Sequence, residues 1–326
     1  MAKPTRSSMW RESTVAARTL LLILVSSAAF VTAGCGGILT DNQVAAVSQF
    51  AEATKGFGTS PGTVINAYAG VRSDRALLEA ASRSDGGVPA KDPANGLKQR
   101  PELESRAATA DAAITVLDDY AQMLGLLSSS QFTDDLQNQT IALGSSIDNG
   151  IATFNKLSGS TLNSFGDIVA GIVRGAGGLW IRREQHKALV AGGTNAKGPV
   201  DRLTASIEGL MDFFVGPPPS TDPEKNLFAR ESQEVQDFLG RTQPAGRPLP
   251  VLERTQTVMK QAVDGQNLAQ LSRRAAAQYR AAHNELVQAI TGDKADLKSL
   301  VGTIQGLSQE NKAAKRVQGE GKKARD

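Results

Sequence analysis

Cysteine is almost missing from this chain. A single residue, Cys35, among 326 excludes an internal disulfide and the multi-cysteine ligand sets of structural zinc and iron–sulfur sites. Histidine is nearly as scarce, with only His186 and His283. No HExxH, helical ExxH, CxxC, GxSxG or SxxK pattern occurs, so the common signatures of metalloproteases, di-metal bundles and serine hydrolases are lacking. The nearest approach to a phosphate loop runs from Gly193 to Gly198, but Pro199 stands where that loop needs lysine. We therefore read the chain as non-enzymatic, with no catalytic residue, no metal site and no cofactor.

Aromatic residues are sparse at 5%, and no alternating run of Val, Ile and Thr is long enough to demand a strand. A charge excess is lacking as well. The formal net charge of +3 comes from the N-terminus, where Lys3, Arg6, Arg11 and Arg18 face one acid, Glu12. Taking these from the 36 basic and 33 acidic residues leaves the chain after Gly34 balanced. That balance excludes a broad basic footprint for nucleic acid.

Long apolar runs are missing too, with one short exception. Leu20 to Val31 is well under the ~20 residues of a spanning helix and suits the apolar region of a signal peptide. Basic residues precede it, small residues follow, and it leads to Cys35. Thr32-Ala33-Gly34-Cys35 resembles the lipobox of bacterial lipoprotein precursors. Ala33, Gly34 and Cys35 fit, while Thr32 stands where an aliphatic residue is usual. The resemblance implies cleavage between Gly34 and Cys35, a diacylglycerol carrying palmitate-type chains on the Cys35 sulfur, and acylation of the new amine. Each buried methylene contributes about 0.8 kcal/mol, and two or more chains give a stable anchor. Gly36, rather than Asp, after the cysteine implies sorting to the outer membrane, facing the periplasm, if the host has one. Two other readings stay open: a secretory peptide cut nearby that leaves a free thiol, or a short uncleaved anchor. A free thiol is a liability in an oxidising compartment. Met9-Trp10-Arg11 offers a second start that would shorten the basic region.

What is abundant is Ala, Leu, Gln and charge, a composition that favours helix. The expected organisation is a signal peptide over 1–34, a lipidated tether over 35–40, an all-α antiparallel bundle of long helices over 41–308, and a basic disordered tail over 309–326. Asp41 is expected to cap a first helix. Ser60-Pro61 opens a second, with Val64, Ile65, Tyr68, Val71, Leu77 and Leu78 inside. The breakers between 84 and 100 make a loop. From Leu103 through Ala107, Ala110, Ile114, Leu117, Ala121 and Leu124, apolar residues recur at alternating spacings of four and three, one narrow helical stripe. A second stripe runs through Phe132, Leu136, Leu143, Ile147, Ile151 and Phe154. The short Ser128-Ser129-Ser130 link makes the two an antiparallel hairpin of about 55 residues.

Residues 165–181 are glycine-rich and apolar nearly all round, which predicts a helix buried on every side. Gly171 and Gly175 are spaced for close backbone approach to a neighbour. Gly192 to Pro199 reads as a loop. Further helices are expected from Val200 to Phe214, from Pro223 to Gly240 and from Pro250 to Thr291, the last about 60 Å long if unbroken. A short helix holds Leu297, Leu300, Val301, Ile304 and Leu307.

The polar residues suggest little chemistry. His186 and His283 read as structural. Asp118-Asp119 and Asp134-Asp135 flank the serine turn, the second pair being suited to a first helical turn. Arg182-Arg183 and Arg273-Arg274 read as solvated faces. The expected function is that of a membrane-anchored cell-envelope lipoprotein. Its partners are the bilayer, through acylated Cys35, and an envelope protein, through a helical scaffold domain. The alternative is a membrane-active protein that inserts residues 165–181.

Overall fold

The computed structural model describes residues 39–55, 57, 61–81, 100–129, 133–176, 182–216, 226–241, 249–292 and 297–323. The signal-peptide and lipobox expectations, including Gly34 and Cys35, fall outside them, as do Ser60, Phe132, the 84–99 loop and residues 177–181. The described residues form nine α-helices and no strand. They are α1 (Asp41–Thr54), α2 (Pro61–Ala81), α3 (Arg100–Leu127), α4 (Asp134–Ser158), α5 (Gly166–Ala176), α6 (Arg182–Val215), α7 (Leu227–Arg241), α8 (Leu249–Thr291) and α9 (Leu297–Lys323). All belong to one unit, Leu39–Asp326.

The all-α antiparallel bundle is as expected, and α3 and α8 are its spine. Every residue of the predicted α3 stripe is buried, but so are Ala113, Val116, Tyr120, Met123 and Leu127. The helix therefore buries two faces, because α1, α2, α4 and α6 all pack against it. The predicted hairpin forms. Ser146 Oγ donates to Asp119 Oδ2 at 2.6 Å, and a Cβ on Gly150 would lie 2.6 Å from Val116 Cγ2. Pairing of 119 with 146 and of 116 with 150 is an antiparallel register. Helix α4 begins at the cap Thr133 and ends at Gly159, whose φ of 69° suits a residue without Cβ. Long α8 packs against α1, α2, α6, α7 and α9.

Several expectations change. Thr40, not Asp41, is the N-cap of α1: its hydroxyl accepts from Gln43 N, and Gln43 Oε1 accepts from Thr40 N, a reciprocal capping box. Leu77 is 60% exposed, while its neighbour Leu78 is buried. Residues 192–199 are not a loop but the middle of α6. Gly192 and Gly193 are buried, and a Cβ on them would press on Val169 at 3.2 Å and on Ile290 at 3.0 Å. These glycines admit neighbouring helices rather than end one. Pro199 is tolerated within α6 despite its missing N–H.

A further change is at the C-terminus. Helix α9 continues through the segment expected to be disordered, as far as Lys323. Asn311 and Ala314 are buried, and Asn311 Nδ2 donates to Ala53 O at 2.9 Å. The basic composition of that segment hid two core positions one turn apart.

Helix α5 is short and amphipathic rather than buried all round. Val169, Ala170 and Val173 are fully buried, while Asp167, Gly171, Arg174 and Gly175 face outward and Ile168 is 44% exposed. A Cβ on Gly171 or Gly175 would meet nothing within 4 Å, so that spaced pair makes no close approach. The close approach is elsewhere, between Gly144 of α4 and Gly166 of α5. One carboxylate starts α5. Asp148 accepts from the backbone N–H groups of Phe165, Gly166 and Asp167 at 2.8–3.1 Å, which satisfies donors that a helix N-terminus leaves unpaired.

Candidate functional site

Two buried polar constellations stand out, and neither has a sequence motif. In the first, Glu231 of α7 is fully buried (0% exposed). Its Oε2 accepts from Arg75 Nε at 2.6 Å and its Oε1 from the Tyr68 hydroxyl at 3.1 Å. The same guanidinium reaches Glu79 at 2.8 Å and also pairs with Glu234. Burial works against the Arg75 charge, but Glu231, Glu234 and Glu79 outweigh it and hold the group above its ordinary range. Burial and the Glu231 charge push the Tyr68 phenol upward. This cluster fastens α7 to α2. Beside it, Phe228 lies where a Cβ on Gly265 would come within 2.4 Å of its ring, so the glycine in the middle of α8 seats an aromatic side chain.

The second constellation is in the main core. His283 of α8 is fully buried, and its Nε2 is 2.9 Å from the Tyr120 hydroxyl. Tyr279, one turn earlier, donates to Leu117 O at 2.8 Å. Phe50, Phe57 and Phe165 pack edge-on or tilted around these rings. His283 Nδ1 has no hydrogen-bond partner among the described residues. Burial, with a smaller push from Lys197, lowers this imidazole to about 3, so it is neutral at physiological pH. Burial also raises the Tyr120 and Tyr279 phenols. These rings and the imidazole pack the core where α1, α3 and α8 meet.

The other residues singled out in the sequence are dispersed. His186 Nε2 lies 3.0 Å from Ile290 O at the end of α8. Asp118 holds Gln122, one turn on, and Asp119 holds Ser146. Burial raises Asp118, with Asp119 adding to the effect. No group of three or more metal-binding side chains occurs among the described residues. The paired arginines are not merely solvated. Arg182 bonds Asp41 at 3.1 Å, Arg273 bonds Asp212 at 3.2 Å and Arg274 bonds Glu310 at 2.9 Å, each joining two helices.

Two open grooves mark the surface. One, of about 570 Å³, lies between α3, the end of α4 and α6, and includes Arg106, Ala110, Phe154, Leu157 and Leu210. Arg106 caps its rim, 4.9 Å over the half-exposed Phe213 ring. The other, of about 640 Å³, lies between α1, α3 and α4 and includes Ala51, Gln122, Leu126 and Leu143. Each carries one exposed ion pair between near neighbours along the chain, Glu102 with Arg106 in the first and Glu52 with Lys55 in the second.

No known family, curated protein or solved structure matches this chain.

The feature that sequence reasoning could not reach is the mounting of the chain's entry into the bundle. Leu39 is 3% exposed. Gln43 Nε2 donates to Ala289 O at 2.7 Å, and Arg182 bonds Asp41. The first described residue is thus already core, and its immediate successors are tied to α6 and α8. No helix among the described residues is long and apolar enough to cross a membrane.

Proposed function

We propose that this chain is a bacterial cell-envelope lipoprotein whose helical domain works by protein contact rather than by catalysis. The observation that carries the reading is the apolar run ending in Ala33-Gly34-Cys35, four residues ahead of a buried Leu39. Cys35 sulfur forms a bond to the glyceryl carbon of a membrane phospholipid, the phosphate headgroup leaves with the bonding pair, and the thiol proton is released. Cleavage before Cys35 then frees an amine for a further acyl chain. Ion pairs that join helices far apart in sequence support a rigid body suited to a scaffold or accessory subunit. The two grooves and the exposed Phe213 supply surface on which an envelope protein can dock. Gly36 supports sorting to an outer membrane where one exists.

Mass spectrometry of the mature N-terminus tests the anchor. A chain that begins at Cys35 and carries two or three acyl chains is expected; an unmodified Cys35 overturns it. In intact cells, crosslinking should recover an envelope protein in stoichiometric yield, and recovery of none removes the scaffold role. The insertion reading for residues 165–181 requires Val169, Ala170 and Val173 to leave the core. It predicts dye leakage from liposomes, which the scaffold reading does not.

A further inference from the structure

We infer that the end of the bundle where α1 begins is the surface pressed against the bilayer, and that the Leu249 end of α8 points away from it. The inference rests on the acylation of Cys35. Three residues separate Cys35 from Leu39, and even fully extended the four steps of chain between them span only about 14 Å. Beyond Leu39 there is no slack. Leu39 is buried, the capping box holds Thr40 to Gln43, and Gln43 and Asp41 are bonded to Ala289 and Arg182.

Hydrogen bonds identify what shares this end. Gln185, near the start of α6, donates to Ser129 O at the α3–α4 turn. Gln137, in the first turn of α4, donates to Val173 O near the end of α5. His186 sits against Ile290 O at the end of α8. The starts of α1, α4 and α6 and the ends of α3, α5 and α8 therefore share the end of the bundle at which Leu39 lies. Glu253, near the other end of α8, is roughly 55 Å away at 1.5 Å per residue.

Two further observations favour an upright bundle over one lying on its side. A helical surface that lies in an interface needs a lengthwise apolar face. The described exposed large apolar residues form no such strip: Leu77, Leu249 and Leu252 belong to the far end, as do Leu157 and Phe213 at the ends of α4 and α6, and Ile168 and Val263 are isolated on different helices. Moreover, Arg254 pairs with Asp74 at 2.6 Å, which puts Leu77 at the same end as Leu249 and Leu252. At the near end, Arg174, Arg183 and Lys187 are mixed with Asp134, Asp135 and Glu184. So balanced a face makes the covalent tether, not lipid charge, the orienting element.

The test uses the full-length acylated protein in phosphatidylcholine–phosphatidylglycerol vesicles that contain a headgroup-quencher lipid. Acylation blocks the Cys35 sulfur, so a fluorophore can be placed singly through Arg183→Cys or Glu253→Cys, both exposed sites. Quenching is expected to be several-fold stronger at 183 than at 253 and unchanged by high salt. Equal quenching, or stronger quenching at 253, overturns the inference while leaving the anchor intact. Inserting about 20 Gly/Ser residues after Gly37 gives a flexible linker and is expected to bring the two signals close to parity; a persisting difference overturns the tether as its cause. An unmodified Cys35, or protein that does not float with the vesicles, overturns the anchoring reading and this inference with it.

Discussion

Gly144 and Gly166 meet backbone to backbone. A Cβ on Gly166 would stand 2.0 Å from Gly144 O, and one on Gly144 would stand 2.8 Å from Gly166 O. This contact sets α5 against α4, and Asp148 reinforces it one turn away by holding three α5 amides.

Gly166→Ala is therefore expected to destabilise the domain by about 1–3 kcal/mol, since neither backbone can yield cheaply. Gly171→Ala and Gly175→Ala should be neutral or stabilise by up to ~1 kcal/mol, because both point into open space and alanine favours helix. Urea denaturation followed by circular dichroism measures all three. If Gly171→Ala costs as much as Gly166→Ala, the packing of α5 is wrong.

The Arg75–Glu231 pair should couple strongly. Arg75→Ala leaves a fully buried carboxylate without its cation, a change that typically costs about 3–5 kcal/mol. Removing both groups, as Arg75→Met with Glu231→Leu, should recover much of that loss. A double-mutant cycle in urea reads the coupling. Additive single effects would mean that α7 is not held to α2 through this pair.

His283 predicts a pH dependence of definite sign. Its folded pKa lies near 3, against an ordinary 6.5. Between these values the unfolded chain binds a proton that the folded chain does not, so unfolding gains as pH falls. The stability that the neutral ring provides is complete above about pH 6.5 and is lost toward pH 3, at up to about 1.4 kcal/mol per pH unit. Denaturation midpoints at pH 7.5 and pH 5 should differ less in His283→Gln than in the parent protein. Equal differences in the two proteins would remove His283 as the cause.

Truncation after Gln309 removes Asn311 and Ala314 from the core together with the bond to Ala53 O. We expect a loss of about 2–4 kcal/mol from the missing apolar burial and the unpaired carbonyl, seen as a lower melting temperature. Truncation after Lys323 should leave that temperature unchanged. A stable protein ending at Gln309 would show that the last turns of α9 contribute nothing.

Much of this architecture was legible in the residue order. The α3 stripe, the core of α2 around Tyr68 and the long run of α8 follow from helical periodicity, which depends only on near neighbours. Glycine was the least legible residue, because its two uses look alike along the chain. Gly192 and Gly193 resemble a break but serve close packing, and Gly171 and Gly175 resemble a packing motif but face open space. The polar constellations had no signal at all. Tyr120 and His283 are 163 positions apart, as are Tyr68 and Glu231.

The residue order alone determined that this chain is helical, where α3, α4 and α8 run, and that Cys35 follows an apolar segment too short to span a bilayer. Periodicity, propensity and apolar length are properties of neighbouring residues, so they need no fold to be read. Only the tertiary structure decided which glycines touch a neighbour, that the basic C-terminal segment belongs to the core, and that Arg75 and His283 end up beside Glu231 and Tyr120. Those facts are distances between segments remote in sequence, and chain packing alone sets such distances.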